Sequence, residues 1–240
     1  MPLQIDRDTS NRILKGLSES DFALMSARLS SVDLPARRKL EMANRHIDHC
    51  YFMESGIASV VANGQGDRGI EIALIGREGV TGLPVIMGTD RWPNETLMQS
   101  AGVARRISTP DLEYVLKQSE TLRSTLLNYC HAFVIQISQT AVANGRGKIE
   151  QRLARWLCMA HDRIDGNELA LTHDFLALTL GVRRPGVTLA LDHFAQDGLI
   201  AVRRGRIAIV NRGLLEKRTD GSYGRSEVEL ARLLKPNTAN

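Results

Sequence analysis

The stretch from Leu171 to Val210 limits what this chain can fold into more than any other part of the sequence. Its first residues have the apolar spacing of a short helix, and Thr172 is a residue type that caps helix N-termini. The apolar face of this predicted helix comprises Phe175, Leu176, Leu178 and Leu180. Gly181 follows, where the chain must turn sharply and where glycine tolerates a positive φ.

A second helix is predicted directly after this turn. Arg183 and Arg184 precede Pro185, which suits the first turn of a helix because it has no N–H group to leave unpaired. The residues that recur at helical spacing, and that we expect to be buried, are Val187, Leu191 and Phe194.

A β-hairpin completes the pattern. Two short strands, 199–203 and 206–210, are joined by a tight turn at Arg204-Gly205. A helix, a turn, a second helix and a hairpin in this order indicate a winged helix-turn-helix, which places its second helix in the DNA major groove.

Polar residues on the outward side of this unit predict DNA contacts. We expect Arg183, Arg184 and Thr188 to contact bases, because arginine pairs well with guanine N7 and O6. The residues predicted to contact phosphates are Thr172, His173, Arg203, Arg204 and Arg206. The alternative is an ordinary amphipathic helix pair with solvated arginines. The turn glycine, the arginines and the arginine-tipped wing occur together, and this favours DNA binding.

Residues Lys148–Val210 resemble the C-terminal domain of the cyclic-AMP receptor protein / fumarate-nitrate reduction regulator (Crp/Fnr) family. The matching stretches are IEQRLARWLCMAHDRI, LTHDFLALTLGVRRPGVTLAL and DGLIAVRRGRIAIVN. The family often has an Arg-Glu pair near the start of the recognition helix and another Arg one turn later. Arg184 matches the first of these, whereas Pro185 and Leu189 replace the other two. The resemblance therefore implies DNA binding without the usual half-site sequence, and RRPGVT resembles a subgroup of the family.

Composition and charge fit a regulator of this kind. Residues 144–240 carry 16 Lys and Arg against 11 Asp and Glu, whereas residues 1–143 carry 15 against 16. A basic C-terminal half is typical of a nucleic-acid-binding module. No apolar run reaches the roughly 18 residues of a membrane span, and MPLQIDRDTSNRIL lacks the apolar core of a signal peptide. We therefore expect a cytoplasmic protein.

The cysteines and histidines predict no cofactor. Cys50, Cys130 and Cys158 are far apart, as in proteins of a reducing compartment, and do not match the family's iron–sulfur cysteine cluster. His46-x-x-His49-Cys50 suggests a metal site, but residues three apart on a strand point to opposite faces and no second cluster completes four ligands. We expect no metal.

The N-terminal half predicts an antiparallel β-roll. Residues Gln4–Arg28 have helical apolar spacing, with Ser20 as a plausible cap. Short segments then alternate with turn residues: LEMA, HCYFME, GIASVVAN, GIEIALIG, ETLMQSAG and VARRIS. Gly64-Gln65-Gly66-Asp67 is typical of a hairpin loop. The family places a cyclic-nucleotide-binding-like β-roll sensor here, so the predicted fold class is α+β.

The segment from Gly76 to Gln99 decides whether this sensor binds a cyclic nucleotide. In family members that do, a Gly-Glu pair opens a short helix over the phosphate, and an Arg follows about ten residues later. Here Leu83 follows Gly82, and Glu95 near the second position would repel a phosphate. We therefore predict no response to cyclic AMP. The candidate effector loop comprises Arg77, Glu78, Thr81 and Arg91. The alternative is a loop that is packed shut.

A short helix, Asp111–Lys117 capped by Thr109, leads into a long helix predicted from Ser119 to Asn144. Two neighbouring apolar stripes follow the long helix with coiled-coil spacing. The first stripe is Leu122, Leu126, Tyr129, Phe133, Gln136 and Thr140. The second stripe is Leu127, Cys130, Val134, Ile137 and Ala141. We expect one stripe to face the β-roll and the other a second subunit, and we assign the first to the dimer interface. The alternative is burial of the whole helix inside one subunit.

These patterns divide the chain into four parts: a sensor domain at 1–110, a dimerisation helix and hinge at 111–146, a winged helix-turn-helix at 147–214 and a polar tail at 215–240. The hinge is predicted at Asn144-Gly145-Arg146-Gly147, the helix after it at Lys148–Ile164, and a last helix at Ser226–Leu234.

The predicted function is a homodimeric, non-enzymatic transcription regulator on palindromic double-stranded DNA. RNA polymerase is a further implied partner, the effector is unknown, and no membrane is involved. The alternatives are a ligand-independent regulator and a β-roll small-molecule binding protein or enzyme.

Overall fold

The computed structural model describes residues 8–63 and 69–234 of the chain. The predicted single N-terminal helix is two helices, α1 (Arg12–Gly16) and α2 (Glu19–Ser26), because Leu17 between them is extended. Ser18 rather than Ser20 caps α2, since its side chain accepts a hydrogen bond from the Asp21 backbone N–H. The start of the predicted helix, residues 4–7, lies outside the described residues.

Seven antiparallel strands in the described residues form the N-terminal domain. They are β1 (Ser30–Leu34), β2 (Lys39–Glu41), β3 (His49–Met53), β4 (Ile57–Asn63), β5 (Gly69–Ile75), β6 (Glu95–Ser100) and β7 (Gly102–Ser108). One sheet has the order β1-β7-β3 and the other β2-β6-β4-β5, and a short helix α3 (Leu83–Ile86) lies between β5 and β6. The predicted hairpin loop at 64–67 falls outside the described residues. The six predicted strands are confirmed as β2–β7, whereas β1 was not predicted.

The strands form a β-roll because their apolar side chains share one core. On β6, Thr96 and Met98 are buried while their neighbours are half-exposed, which is the alternation of a strand with one face in a core. The largest buried side chains of this first core include Phe52, Met53, Ile75, Met98 and Ile107.

Two helices follow the β-roll and pack against its core. Helix α4 (Thr109–Gln118) is capped by Ser108, whose side chain accepts from the Asp111 N–H, so the predicted cap at Thr109 is wrong. The Thr109 hydroxyl instead donates to the Ile47 carbonyl. Helix α5 (Glu120–Arg146) is capped by Ser119 and extends two residues beyond the predicted end. Of the predicted hinge, only Gly147 leaves the helical conformation.

The C-terminal half contains the predicted helix pair and hairpin. Its elements are α6 (Ile149–His161), β8 (Glu168–Leu169), α7 (His173–Leu180), α8 (Arg184–Gln196), β9 (Ile200–Arg203), β10 (Arg206–Ile209), α9 (Arg212–Arg218) and α10 (Arg225–Leu233). The three strands form a sheet in the order β8-β10-β9. A second core joins α6, α7 and α8, and it also takes in Ile57 and Leu74 from the β-roll. The two halves therefore share buried apolar surface.

Two helices occupy much of the described part of the predicted polar tail. Helix α10 confirms the predicted last helix, but α9 was not predicted. Helix α10 packs along α5, and its Leu230, together with Leu234, lies against the first core. The chain thus returns from the C-terminal half to the β-roll. In the residues that the structure describes, no helix is long and apolar enough to cross a membrane.

Candidate nucleic-acid interface

The helix-turn-helix is built by local signals that the sequence shows directly. The Thr172 hydroxyl accepts a hydrogen bond from the Phe175 N–H at 3.2 Å and so caps α7. Gly181 has φ +62°, and the chain turns there from α7 into α8. One part of the predicted apolar face is wrong: Leu178 is exposed, because it lies on the side of α7 away from the second core.

The recognition helix α8 has one buried side and one exposed side. Val187, Leu191 and Phe194 are fully buried, as predicted. Because those residues fix the orientation of the helix, Arg183 and Arg184 at its start face solvent. Nε of Arg184 lies 3.4 Å from Oδ1 of Asp174, and both side chains are largely exposed. An exposed pair of this kind contributes little to stability, so the guanidinium is available to a stronger partner.

Two predicted contact residues meet within the helix pair. A hydrogen bond of 2.9 Å joins Nδ1 of His173 on α7 to the hydroxyl of Thr188 on α8, and both side chains are half-buried. The Thr188 hydroxyl therefore has a partner inside the protein. Base contact by Thr188 and phosphate contact by His173 remain predictions.

The wing presents three exposed arginines around the β9–β10 turn. Arg203 lies at the end of β9, Arg204 in the turn and Arg206 at the start of β10. The Leu171 N–H donates to the Gly205 carbonyl at 3.0 Å, so the turn is anchored beside the start of α7. Arg206 also forms an ion pair with Glu168 on β8, a strand that was not predicted.

A large apolar side chain also lies on the outward side of the recognition helix. Leu189 is 58% exposed, although Ala190 and Leu191 beside it are buried. The sequence analysis noted Leu189 only as a departure from the family pattern. Its helical position relative to Val187 and Leu191 was the available signal for this exposure.

The residues of the candidate effector loop are engaged by different parts of the chain. Oε1 of Glu78 lies 2.8 Å from Nη2 of Arg163, and both side chains are buried. The Thr81 hydroxyl is buried and accepts from the Tyr51 N–H at 3.1 Å. Arg77 pairs with Asp165 at 2.8 Å.

Arg91, the fourth residue of that loop, lies on the surface, where its Nε is 2.9 Å from Oδ1 of the neighbouring Asp90. The buried ion pair and the buried hydroxyl correspond to a loop that is packed shut.

A buried carboxylate, that of Glu41, lies at the start of the short helix α3. Oε1 of Glu41 accepts from the Gly82 N–H at 2.5 Å, and Oε2 accepts from the Thr96 hydroxyl at 2.7 Å. Burial raises the pKa of Glu41, although the hydrogen bonds from Thr96 and Gly82 favour the ionised form. Gly82 has φ +80°, and a Cβ there would lie 2.1 Å from Sγ of Cys50. Nothing in the sequence pattern pointed to Glu41.

The first stripe of the long helix is buried within one chain, so its assignment to a dimer interface is wrong. Leu122, Leu126, Tyr129 and Phe133 belong to the first core. Gln136 is also buried, because its side chain accepts from the Leu74 N–H at 2.7 Å and donates to the Leu74 carbonyl. Thr140, the last residue of the stripe, is half-buried.

The second stripe presents the exposed apolar side chains of α5. Leu127 is 39% and Val134 53% exposed, and Val142 one position beyond Ala141 is 52% exposed. Cys130 and Ile137 of the same stripe are turned toward the first core.

A buried polar cluster joins the β-roll to the C-terminal half. Nε1 of Trp156 on α6 donates to Oε1 of Glu71 on β5 at 2.6 Å. Oε2 of Glu71 and Nη2 of Arg155 are buried and find no hydrogen-bond partner among the described residues. Burial raises the pKa of Glu71 to about 7, against the opposing effects of Ser59, Trp156 and two arginines.

Within the described part of the chain, no three His, Cys, Asp or Glu residues are grouped as metal ligands.

Comparison with known proteins identifies the type of DNA-binding domain. Residues 151–218 match the family model described as the Crp-like helix-turn-helix domain. A comparison with curated proteins finds no match.

Solved structures share the fold of about four fifths or more of this chain. A putative Crp/Fnr-family transcriptional regulator from Eubacterium rectale has a TM-score of 0.68 and 18% identity, over 87% of this chain and 98% of that one. FixK2 from Bradyrhizobium japonicum has a TM-score of 0.69 and 15% identity, over 79% and 96%. A CRP-family transcriptional regulator from Thermus thermophilus has a TM-score of 0.68 and 14% identity, over 80% and 98%. The domain match covers the helix-turn-helix and the wing, and these neighbours show that the chain shares their fold.

Proposed function

We propose that this chain, with its Crp-like helix-turn-helix, is a sequence-specific transcription regulator that binds palindromic DNA as a homodimer. The observation that carries the proposal is the exposure of five arginines, of which two begin the recognition helix and three surround the wing turn. Arginines at the start of a recognition helix reach base edges, and those of a wing fix the position on the phosphates. RRPGVT at the start of α8 favours a subgroup with its own half-site.

The second stripe of α5 supports dimerisation. Leu127 and Val134 are seven residues apart, as in a coiled-coil seam, and both are exposed in the single chain. A second copy packed on this face would bury them around a two-fold axis. The same axis would place two recognition helices on the two half-sites of a palindrome.

The sensor is proposed not to respond to cyclic AMP. The Gly82 N–H, at the start of the short helix, is bonded to the Glu41 carboxylate, and Glu78 is bonded to Arg163. A phosphate that bound to the Gly82 N–H would have to displace the Glu41 carboxylate and would remain close to its negative charge. These contacts also favour the second candidate, a ligand-independent regulator. An effector would act only by binding one orientation of the DNA-binding halves better than another.

Selection of bound sequences from random duplex DNA tests the proposal. We expect a palindromic winner whose affinity falls steeply with salt, because the protein releases counterions from several phosphates. A ligand-independent regulator should enrich this sequence as the free protein, whereas a ligand-gated one should require a cell extract. Failure to enrich under both conditions would contradict DNA binding and favour a β-roll small-molecule protein.

Replacing Arg184 by alanine should weaken binding to the selected DNA by about 5- to 150-fold, which corresponds to about 1–3 kcal/mol for one bidentate base contact. The loss should be largest on the preferred sequence. Fluorescence anisotropy titration would measure it. Arg45→Ala removes an equal charge from an exposed loop of the β-roll and should change affinity little. Equal losses for the two variants would contradict the base contact.

Replacing Val134 by glutamate should raise the dimer dissociation constant by more than tenfold, because two carboxylates would be buried opposite each other across the seam. Sedimentation velocity over a range of protein concentrations would measure this. Val228→Glu is a matched control, because Val228 is exposed on α10 and outside the stripe. A dimer that Val134→Glu leaves intact would locate the interface elsewhere.

A further inference from the structure

We infer that Leu189 reads the 5-methyl group of a thymine in each half-site. The inference rests on the proposed DNA binding and assigns part of its sequence specificity. Leu189 lies on the exposed side of α8, one turn after Pro185 and three residues before the exposed Asp192. The buried side chains of Val187 and Leu191 fix this orientation.

In the described part of the chain, the Leu189 side chain is not covered by the protein. At 58% exposure most of its side chain is in water, whereas Val187, Leu191 and Phe194 of the same helix enter the second core. An apolar side chain in this position gains free energy only when a ligand covers it. The helix face that carries it is the face that the helix-turn-helix presents to the DNA major groove.

The positive charge around Leu189 favours a polyanionic ligand. Arg183 and Arg184 precede Leu189 on the helix, and the wing adds further exposed arginines, so this surface favours a polyanion over an apolar protein partner. Among the base edges in the major groove, the thymine C5-methyl is the apolar group, and apolar side chains contact it. The Thr188 hydroxyl next to Leu189 is already bonded to His173. Leu189 is therefore the apolar side chain best placed for that methyl.

Substitution of deoxyuridine for thymine provides the test, because it removes the methyl and leaves base pairing unchanged. Each thymine of the selected palindrome would be replaced symmetrically, and affinities measured for the full-length wild type and for Leu189→Ala. We expect one position at which removal of the methyl weakens wild-type binding about fourfold per half-site. Leu189→Ala should bind the thymine duplex correspondingly less tightly and should not distinguish the two duplexes. Leu189→Met should retain the discrimination.

Leu214→Ala is the matched control, since Leu214 is an exposed leucine on α9, and this variant should retain the methyl preference. Methyl sensitivity that persists in Leu189→Ala would assign the methyl to another residue, and a wild type insensitive at every thymine would refute methyl reading; both results overturn the inference. Each of these outcomes still leaves DNA binding intact. Failure of the wild type to bind any sequence would overturn the proposed function, and the inference with it.

Discussion

Replacing Arg163 by alanine should lower the free energy of unfolding by about 3–5 kcal/mol, because it leaves the buried Glu78 carboxylate without a counter-charge. Nη2 and Nε of Arg163 both lie 2.8 Å from Oε1 of Glu78, and the two side chains are 5% and 7% exposed. Nη1 of the same guanidinium donates to the Met159 carbonyl at 2.7 Å. Urea unfolding followed by circular dichroism would measure the loss.

Two further variants separate the ion pair from general damage. Arg232→Ala breaks an exposed ion pair with Glu229 and should have little effect on stability. Adding Glu78→Gln to Arg163→Ala removes the unpaired charge and keeps an acceptor for the Gly76 N–H, so we expect the double variant to recover more than half of the stability that Arg163→Ala loses. A double variant as unstable as Arg163→Ala would show that packing, and not the uncompensated carboxylate, causes the effect.

The protein should become less stable as the pH rises from about 4.5 to about 7, and Glu71→Gln should remove much of this dependence. The pKa of Glu71 is about 7 when folded, against an ordinary value of 4.5. Between these two pKa values the folded state binds more protons than the unfolded state. The stabilisation from the Glu71 proton is therefore complete below about pH 4.5 and is lost as the pH rises to about 7. The shift corresponds to about 3 kcal/mol at pH 8.

Burial also raises the pKa of Glu41. The difference in unfolding free energy between wild type and Glu71→Gln isolates the contribution of Glu71 from that of Glu41. The substituted amide would retain an acceptor for Trp156 Nε1, so the variant should be the more stable protein at pH 8, with little difference at pH 4. Glu113→Gln on the surface of α4 is the control and should follow the wild type. Parallel stability curves for wild type and Glu71→Gln would show that Glu71 keeps an ordinary pKa.

Local chemistry explains which parts of the fold the sequence could predict. Thr172 and Gly181 act within a few residues of their own positions, as a cap and a turn, so their effect can be read directly. The burial of Val187, Leu191 and Phe194 follows from one helical period. Strand β1 was missed because its residues, SSVDL, have a single strongly buried position at the end.

Long-range contacts explain what the sequence could not predict. Glu78 and Arg163 are 85 residues apart in the chain, as are Glu71 and Trp156, and nothing in either neighbourhood indicates its partner. The two stripes of α5 have the same alternating three- and four-residue spacing. Which of them meets the β-roll depends on the tertiary position of Leu74 and its neighbours, and the assignment from sequence was therefore wrong.

Because α10 packs on α5, the DNA-binding half is connected to the long helix at both of its ends. This half leaves the long helix at Gly147 and comes back to it at α10, so the chain holds it to α5 at two points, besides its contacts with the β-roll. A body held at one point can swing in any direction, whereas a body held at two can turn only about the line that joins them. While α10 stays docked, this half would remain limited to one axis of rotation even after its contacts with the β-roll broke. Release of α10 together with those contacts would allow the other directions of rotation without any change in the helix-turn-helix itself.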